Sequence, residues 1–121
     1  MIGIFRTRTF TRWMNKSGVT DESLFDAVSE MPRGLIDADL GGGVIKKRIA
    51  LPGRGKRGGA RVIVATRRAR CWFFLYGFNK NERSNITGDE LKAFQEIAKD
   101  LLDFDDMQLA AAIKAGEIME A

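Results

Sequence analysis

An unbroken apolar run at residues 71–78 constrains the fold more than any other feature of the sequence. The run is too short for a membrane-spanning helix, and its aromatic residues favour a β-strand. Alternation would place Trp72, Phe74, Tyr76 and Phe78 on one side and Cys71, Phe73, Leu75 and Gly77 on the other. Because both sides are apolar, we expect a central strand that is covered on both faces.

The chain before this run is also rich in strand-forming residues. From residue 35 to residue 78, breaks at 41–43, 52–59 and 67–70 separate three or four predicted antiparallel strands. In the segment 44–51, the period of two places Lys46 and Arg48 together on one face. Ile45, Ile49 and Leu51 lie on the other face, and Lys47 is the exception on that apolar side.

Helical patterns flank the β-rich middle of the chain. A short strand at 3–9 and a short helix at 10–16 are followed by a helix that Thr20 caps and Pro32 ends. Thr87 and Glu90 form a predicted capping box for the clearest helix, and a second helix is expected from about Asp106 to Met119. The sequence therefore predicts one α+β domain over residues 1–121, with 103–121 as a C-terminal helical extension.

Composition excludes several kinds of chemistry. The chain has no histidine and a single cysteine, Cys71, so no His/Cys metal cluster, internal disulfide or cofactor is expected. Acid–base chemistry would have to use Lys, Asp, Glu, Tyr or the lone thiol. No run reaches the roughly 18 apolar residues that a membrane helix needs, and we expect a cytoplasmic protein that does not contact membranes.

Charge is strongly segregated along the chain. Residues 46–83 hold twelve basic residues and one acidic residue, Glu82, although the net charge of the whole chain is only +4. A field of this sign attracts polyanions, which indicates a nucleic-acid partner; the alternative is a solvated basic face that aids solubility. Asp37 and Asp39 precede this segment, and we interpret them as solvating an edge strand.

A glycine-rich basic segment at residues 51–61 suits phosphate contact. Its glycines let the backbone come close to a ligand, and its basic side chains supply positive charge. It contributes Arg54, Lys56 and Arg57 as candidate ligands of a phosphate. The Gly-x-x-x-x-Gly-Lys-Ser/Thr pattern of a P-loop is absent, so nucleotide hydrolysis is not indicated. A solvated hairpin loop is the alternative interpretation.

Four stretches together resemble a known family: Lys46-Lys47-Arg48, Gly59-Ala60-Arg61-Val62-Ile63, the aromatic strand 72–78, and the Lys80-x-Glu82-Arg83-Ser84 signature that follows it. They are similar to the RelE/ParE superfamily of toxins from type II toxin–antitoxin systems and, more narrowly, to its HigB-like RelE branch. The resemblance implies a microbial-ribonuclease-like fold, in which an antiparallel sheet carries a basic surface and helices cover its other face.

The resemblance also implies a site. Its catalytic residues would be Lys46, Arg48, Arg61 and Arg83; its RNA-binding residues would be Lys47, Arg54, Lys56, Arg57, Tyr76, Lys80 and Asn81. Asn81 and Thr87 stand where the family prototype has a catalytic arginine and a functional tyrosine. Two alternatives remain open: Tyr76 as a core residue, and Arg83 as the partner of Glu82 in a surface ion pair.

The chemistry implied is transfer of an RNA phosphodiester to its own 2′-hydroxyl, without a metal. Arginine stays protonated, so Arg61 and Arg83 suit phosphate binding and stabilisation of charge in the transition state. Nearby cations favour the neutral form of a lysine, and a neutral lysine can accept a proton. Lys46 is therefore the candidate base.

RelE members cleave mRNA, typically in the ribosomal A site, whereas ParE members poison DNA gyrase without cutting. We therefore expect a ribosome-dependent mRNA endonuclease, or mRNA interferase, with mRNA and the ribosome as partners. The alternatives are a non-cleaving inhibitor of gyrase or translation on the same fold, and a nucleic-acid-binding module without toxicity. A toxin of this kind implies a cognate antitoxin, expected to be a helix-turn-helix protein.

Overall fold

The computed structural model describes residues 3–52, 55–67 and 70–121 of the chain. Its strands are β1 (Gly3–Thr7), β2 (Ala38–Gly41), β3 (Val44–Leu51), β4 (Gly55–Arg67), β5 (Cys71–Asn79) and β6 (Ile118–Glu120). Its α-helices are α1 (Arg8–Ser17), α2 (Asp21–Glu30), α3 (Gly88–Leu102) and α4 (Asp106–Lys114), and a short 3₁₀ turn covers Met31–Arg33. The predicted α+β fold is confirmed.

Side chains that the sequence analysis identified as helix caps begin two of these helices, α2 and α3, in the expected way. The hydroxyl of Thr20 accepts a hydrogen bond from the Ser23 N–H, and Thr87 and Glu90 form a complete capping box at the start of α3. These bonds satisfy backbone donors that the first helical turn would otherwise leave without partners. Asp105 and Gln108 form a similar box that begins α4.

The strands form a six-stranded sheet in the order β2-β3-β4-β5-β1-β6. Neighbours from β2 to β5 pair antiparallel, as predicted, whereas β1 pairs with β5 in parallel. The aromatic strand β5 therefore lies inside the sheet, between β4 and β1. Its position explains why both of its faces are apolar.

Each face of the sheet has its own apolar core. On the first face, helices α1 and α2 pack through Phe10, Met14, Leu24 and Ala27 onto β3, β4 and β5. On the second face, α3 and α4 pack over residues that include Phe5, Val44, Ile63, Phe73 and Leu75. Because side chains alternate along a strand, neighbouring residues of β3 and β4 face different helices.

A β-bulge interrupts this alternation in β5. Ile63 pairs with Tyr76 and the next residue of β4, Val64, pairs with Phe74, so Leu75 is an extra residue on β5. The bulge moves Tyr76 and Phe78 from the α1 face, where strict alternation would place them with Trp72 and Phe74, to the α3 face. The strict alternation predicted for this strand is therefore wrong at its C-terminal end.

Two predicted boundaries also differ from the structure. The break expected at residues 52–59 is shorter, because β4 begins at Gly55, which pairs with Leu51 next to a second register shift. The helix expected to reach Met119 ends at Lys114, since Gly116 has a left-handed φ of 74° and the chain then turns into β6 beside β1. Within the described residues, no helix has the length and apolar character needed to cross a membrane.

Candidate nucleic-acid interface

Three predicted site residues lie together on the α3 face of the sheet, beyond the N-terminal end of α3. Lys46 and Arg48 alternate with Lys47 along β3, and Arg61 lies directly opposite Arg48 on β4. The neighbouring pair on this face is Lys46 with Ile63, which in turn pairs with Tyr76 of β5. The alternation predicted for β3 is confirmed, and it brings three cations to one surface.

A carboxylate from outside these strands contacts all three cations. Asp37 Oδ2 lies 3.2 Å from Arg61 Nε and 3.6 Å from Lys46 Nζ, and Asp37 Oδ1 lies 3.5 Å from Arg48 Nη2. Asp37 stands one residue before β2, and its backbone N–H donates to the Lys46 carbonyl at 2.8 Å. We call Asp37, Lys46, Arg48 and Arg61 the Asp37 cluster.

Exposure differs widely within the Asp37 cluster. The side chain of Arg61 is 5% exposed, whereas that of Arg48 is 48% exposed. Arg61 Nη1 is buried and has no hydrogen-bond partner among the residues that the structure describes. A buried guanidinium donor without a hydrogen-bond partner is costly to the fold.

Arg83, the fourth predicted catalytic residue, lies in a separate network at the N-terminus of α3. Its Nη1 donates to Glu90 Oε2 at 3.1 Å and to the Tyr76 hydroxyl at 3.1 Å, and its Nη2 also pairs with Glu90. Glu90 accepts from the Thr87 N–H at 2.8 Å as part of the capping box. The partner of Arg83 is therefore Glu90 and not Glu82, whose carboxylate accepts from Asn79.

The pairing of Arg83 with Glu90 changes the titration of both groups. The hydrogen bond from Arg83, aided by that from the Thr87 backbone, lowers the pKa of Glu90 from 4.5 to about 2. The same hydrogen bond to Glu90 raises the pKa of Arg83 above its ordinary value. Both groups are therefore charged at neutral pH.

Asn85 connects the two groups of cations. Its side-chain oxygen accepts from Lys46 Nζ at 3.4 Å, and its backbone carbonyl accepts from Arg83 Nε at 3.0 Å. The loop between β5 and α3 thus brings Arg83 next to the Asp37 cluster. Asn85 therefore links Lys46 with Arg83, and Arg48 and Arg61 join Lys46 around Asp37.

Lys47 lies away from this surface. It points to the α2 face of the sheet, its side chain is 5% exposed, and its Nζ lies 2.8 Å from Glu30 Oε1. A lysine buried in this way does not reach a nucleic acid that lies on the opposite face. Lys47 therefore lies on the opposite face of the sheet from Lys46, Arg48 and Arg61.

The remaining predicted RNA-binding residues divide into three groups. Tyr76 is half-buried, packs its ring against Phe94 in a tilted arrangement, and accepts a hydrogen bond from Arg83 through its hydroxyl. Lys80 and Asn81 are exposed in the turn after β5. Arg54 lies outside the described residues, as do the side chains of Lys56 and Arg57, so those three expectations stay predictions.

Sequence reasoning missed two members of this surface. Asp37 was interpreted as solvating an edge strand, although its carboxylate contacts three cations. Asn85, which directly follows the Lys80-x-Glu82-Arg83-Ser84 signature, received no role. A signal for Asp37 exists only in three dimensions, because residue 37 approaches Lys46 through the pairing of β2 with β3.

The mostly antiparallel sheet with helices on both faces is an α+β fold consistent with RelE-like toxins. The chain matches, over residues 2–121, the family model described as the RelE toxin of the RelE / RelB toxin-antitoxin system. The chain therefore belongs to the RelE toxin family. No curated protein matches the sequence significantly.

Proposed function

We propose that this protein acts as a ribosome-dependent mRNA endonuclease, an mRNA interferase that stops translation by cutting mRNA in the cytoplasm. The observation that carries this proposal is the common surface of Lys46, Arg48, Arg61 and Arg83 on the α3 face. Membership of the RelE toxin family supports it independently. The narrower likeness to the HigB-like branch stays a prediction.

The reaction proposed is an internal transfer within RNA. The 2′-oxygen attacks the adjacent phosphorus and forms a new P–O bond while the bond to the 5′-oxygen of the next nucleotide breaks. The 2′-hydroxyl loses one proton and the departing 5′-oxygen gains one, leaving a 2′,3′-cyclic phosphate and a 5′-hydroxyl. No oxidant, reductant or other co-reactant is consumed.

The four cations suit different parts of this reaction. Arg61 has a planar guanidinium that contacts Asp37 through Nε, and we assign it stabilisation of the charge that develops on the non-bridging phosphate oxygens. Arg48 and Arg83 lie on either side and bind the flanking backbone. Lys46 is the member of the group that can release its proton, so we assign it proton transfer at the ribose.

Arg83 contributes through a fixed position. Glu90 holds its guanidinium near Tyr76, and Arg83 lies 5.9 Å from the centre of that ring. The aromatic ring and the guanidinium together offer a base or a phosphate a preorganised contact. Asn81 and Thr87 do not supply the arginine and tyrosine of the prototype, and Thr87 is engaged in capping α3.

The proposed partners follow from the family. The family description names an antitoxin system, and we propose that the antitoxin of this chain is a helix-turn-helix protein whose binding covers the basic surface. Programmed ribosomes and the mRNA that they carry are the proposed targets.

The test is primer extension on mRNA from cells after brief induction of the protein. Wild type would be compared with an Arg61→Ala, Arg83→Ala double variant and with an Arg12→Ala, Arg33→Ala double variant, which removes the same charge from exposed positions elsewhere. The proposal expects discrete cuts within translated frames for the wild type and the control, and none for the site variant.

Intact mRNA in cells whose growth has stopped would overturn the proposal and favour a non-cleaving inhibitor of gyrase or translation. Intact mRNA without growth arrest, together with RNA binding that weakens steeply with salt, would favour a binding module without toxicity. Cuts that persist in the site variant would show that cleavage takes place elsewhere on the protein.

A further inference from the structure

We propose that Asp37 is a positioning residue for mRNA cleavage: its carboxylate sets the spacing and orientation of Lys46, Arg48 and Arg61 around the phosphate that is cut. This inference rests on the proposed function and deepens it. Its starting point is the carboxylate itself, which lies inside a surface otherwise made of cations.

Both oxygens of Asp37 are engaged by the surrounding cations. Oδ2 is shared between Arg61 and Lys46, at 3.2 Å and 3.6 Å, while Oδ1 faces Arg48 at 3.5 Å. One anion thus fixes the heads of three flexible side chains relative to one another. Removing that anion would free long side chains that have many rotamers available.

The backbone holds the Asp37 carboxylate in place. The Asp37 N–H donates to the Lys46 carbonyl at 2.8 Å, and the following residue, Ala38, pairs with Lys46 in the sheet. The side chain is only 19% exposed, so solvent screens its ion pairs less than those of an open surface. Asp37 is consequently fixed to the strand that carries two of its three partners.

Electrostatics gives the carboxylate a second effect. Arg48 and Arg61 lie directly opposite each other on adjacent strands, an arrangement that is unfavourable for like charges. Asp37 offsets this repulsion but does not neutralise the cluster, since three cations surround one anion. An excess of positive charge remains for the phosphodiester.

The contacts of Asp37 leave donors available to RNA. They measure 3.2–3.6 Å, longer than the 2.7–2.9 Å typical of close charge-assisted bonds, so the cations are held without being saturated. The side chain of Arg48 is 48% exposed, so among the cations of the Asp37 cluster it is the one that RNA reaches most directly. A phosphate can therefore contact Arg48 beside the carboxylate.

The test compares Asp37→Asn and Asp37→Glu with wild type and with Asp39→Asn, an exposed neighbour whose carboxylate accepts from the Gly41 N–H. Two quantities are measured with purified protein and ribosomes carrying a defined mRNA. The first is the single-turnover rate constant of cleavage at saturating protein. The second is the affinity for the same mRNA with 2′-deoxynucleotides at the cleaved codon, at several salt concentrations.

We expect Asp37→Asn to cleave about 10- to 100-fold more slowly, because displaced catalytic groups lose that much rate. Its binding to the 2′-deoxy mRNA should be as tight as that of wild type or tighter, and the salt dependence should be steeper, since one negative charge has been removed. Asp37→Glu should recover part of the rate, and Asp39→Asn should match wild type in both measurements.

Cleavage by Asp37→Asn at the wild-type rate or faster would overturn the inference, because the carboxylate would then only compete with phosphate. A parallel loss of cleavage and binding would also overturn it, since that result indicates a damaged fold. Failure of the wild type itself to cleave would overturn the proposed function and the inference with it, so the two failures are distinguished by the wild-type reaction.

Discussion

Lys46 and Lys47 are neighbours in the chain, yet the sheet places them in opposite surroundings. Lys47 lies buried on the α2 face with Glu30 at 2.8 Å. Lys46 lies on the α3 face, where it shares the Asp37 carboxylate with Arg48 and Arg61 and also contacts Asn85. Two lysines one position apart therefore lie in different electrostatic environments.

The difference between them is one of charge balance. On the α2 face Lys47 has a close carboxylate, that of Glu30, and this suits a structural pair within the fold. On the α3 face one carboxylate is shared by three cations, which leaves positive charge available to a ligand. Counting basic residues along the sequence does not distinguish these cases, whereas the contacts of Lys46 and Lys47 in the structure do.

The largest expected change in cleavage rate comes from Arg61→Ala, on the α3 face. We expect cleavage to fall about 100- to 1,000-fold, as for the loss of one preorganised donor to a transition state. Arg61→Lys keeps the charge but lacks the planar fork, and should recover only part of the rate. The rate constant of mRNA cleavage is the measurement, and a wild-type rate for Arg61→Ala would contradict the assigned role.

Lys47→Ala should affect stability and not cleavage. It removes a buried aliphatic stem and a close charge partner of Glu30, so we expect the free energy of unfolding to fall by about 2 kcal/mol. Lys47→Met fills a similar volume, so its free energy of unfolding should fall by less than that of Lys47→Ala. Urea unfolding measures both variants; an unchanged midpoint for Lys47→Ala, with cleavage lost, would reverse the roles of the two faces.

Tyr76→Phe should have a smaller effect. The variant keeps the ring that packs against Phe94 and removes the hydroxyl that accepts from Arg83. Because Glu90 still holds Arg83, we expect the cleavage rate to fall only about 3-fold, which corresponds to a hydrogen bond of modest net strength. A loss as large as that of Arg61→Ala would indicate that the Tyr76 hydroxyl itself takes part in the reaction.

The smallest expected effect is a dependence of stability on pH through Glu90. Its pKa is lowered to about 2 in the folded protein by Arg83 and the Thr87 N–H, below its ordinary value of 4.5. The ionised carboxylate therefore stabilises the fold above pH 4.5, and this contribution is lost as the pH falls from 4.5 towards 2. The free energy of unfolding of wild type and Glu90→Gln should converge over that range; parallel curves would contradict the pairing.

Much of the fold could be predicted from the sequence because the signals are local. Capping by Thr20 and Thr87 follows from neighbouring backbone donors, and the faces of β3 follow from its period of two. The bulge at Leu75 could not be predicted, since it depends on how β4 and β5 pair. That bulge brings Tyr76 to the face of Arg83, so a part of the candidate site was also beyond local patterns.

The cations of the candidate site were identified from charge and from the family resemblance, whereas their anions were not. Asp37 and Glu90 lie 9 and 7 positions from Lys46 and Arg83, respectively, and they meet these cations only through strand pairing and the start of α3. Residue order alone gives no reason to prefer Glu90 over the adjacent Glu82 as the partner of Arg83. Folding decides the pairing.

The most direct test of this account is the cleavage rate of ribosome-bound mRNA by two variants, Lys46→Met and Lys47→Met, which make the same chemical change at adjacent positions. The account predicts that Lys46→Met loses most of its cleavage, while Lys47→Met cleaves at the wild-type rate. Equal rates for the two variants, or a greater loss for Lys47→Met, would contradict the claim that the α3 face carries the RNA-cleaving surface.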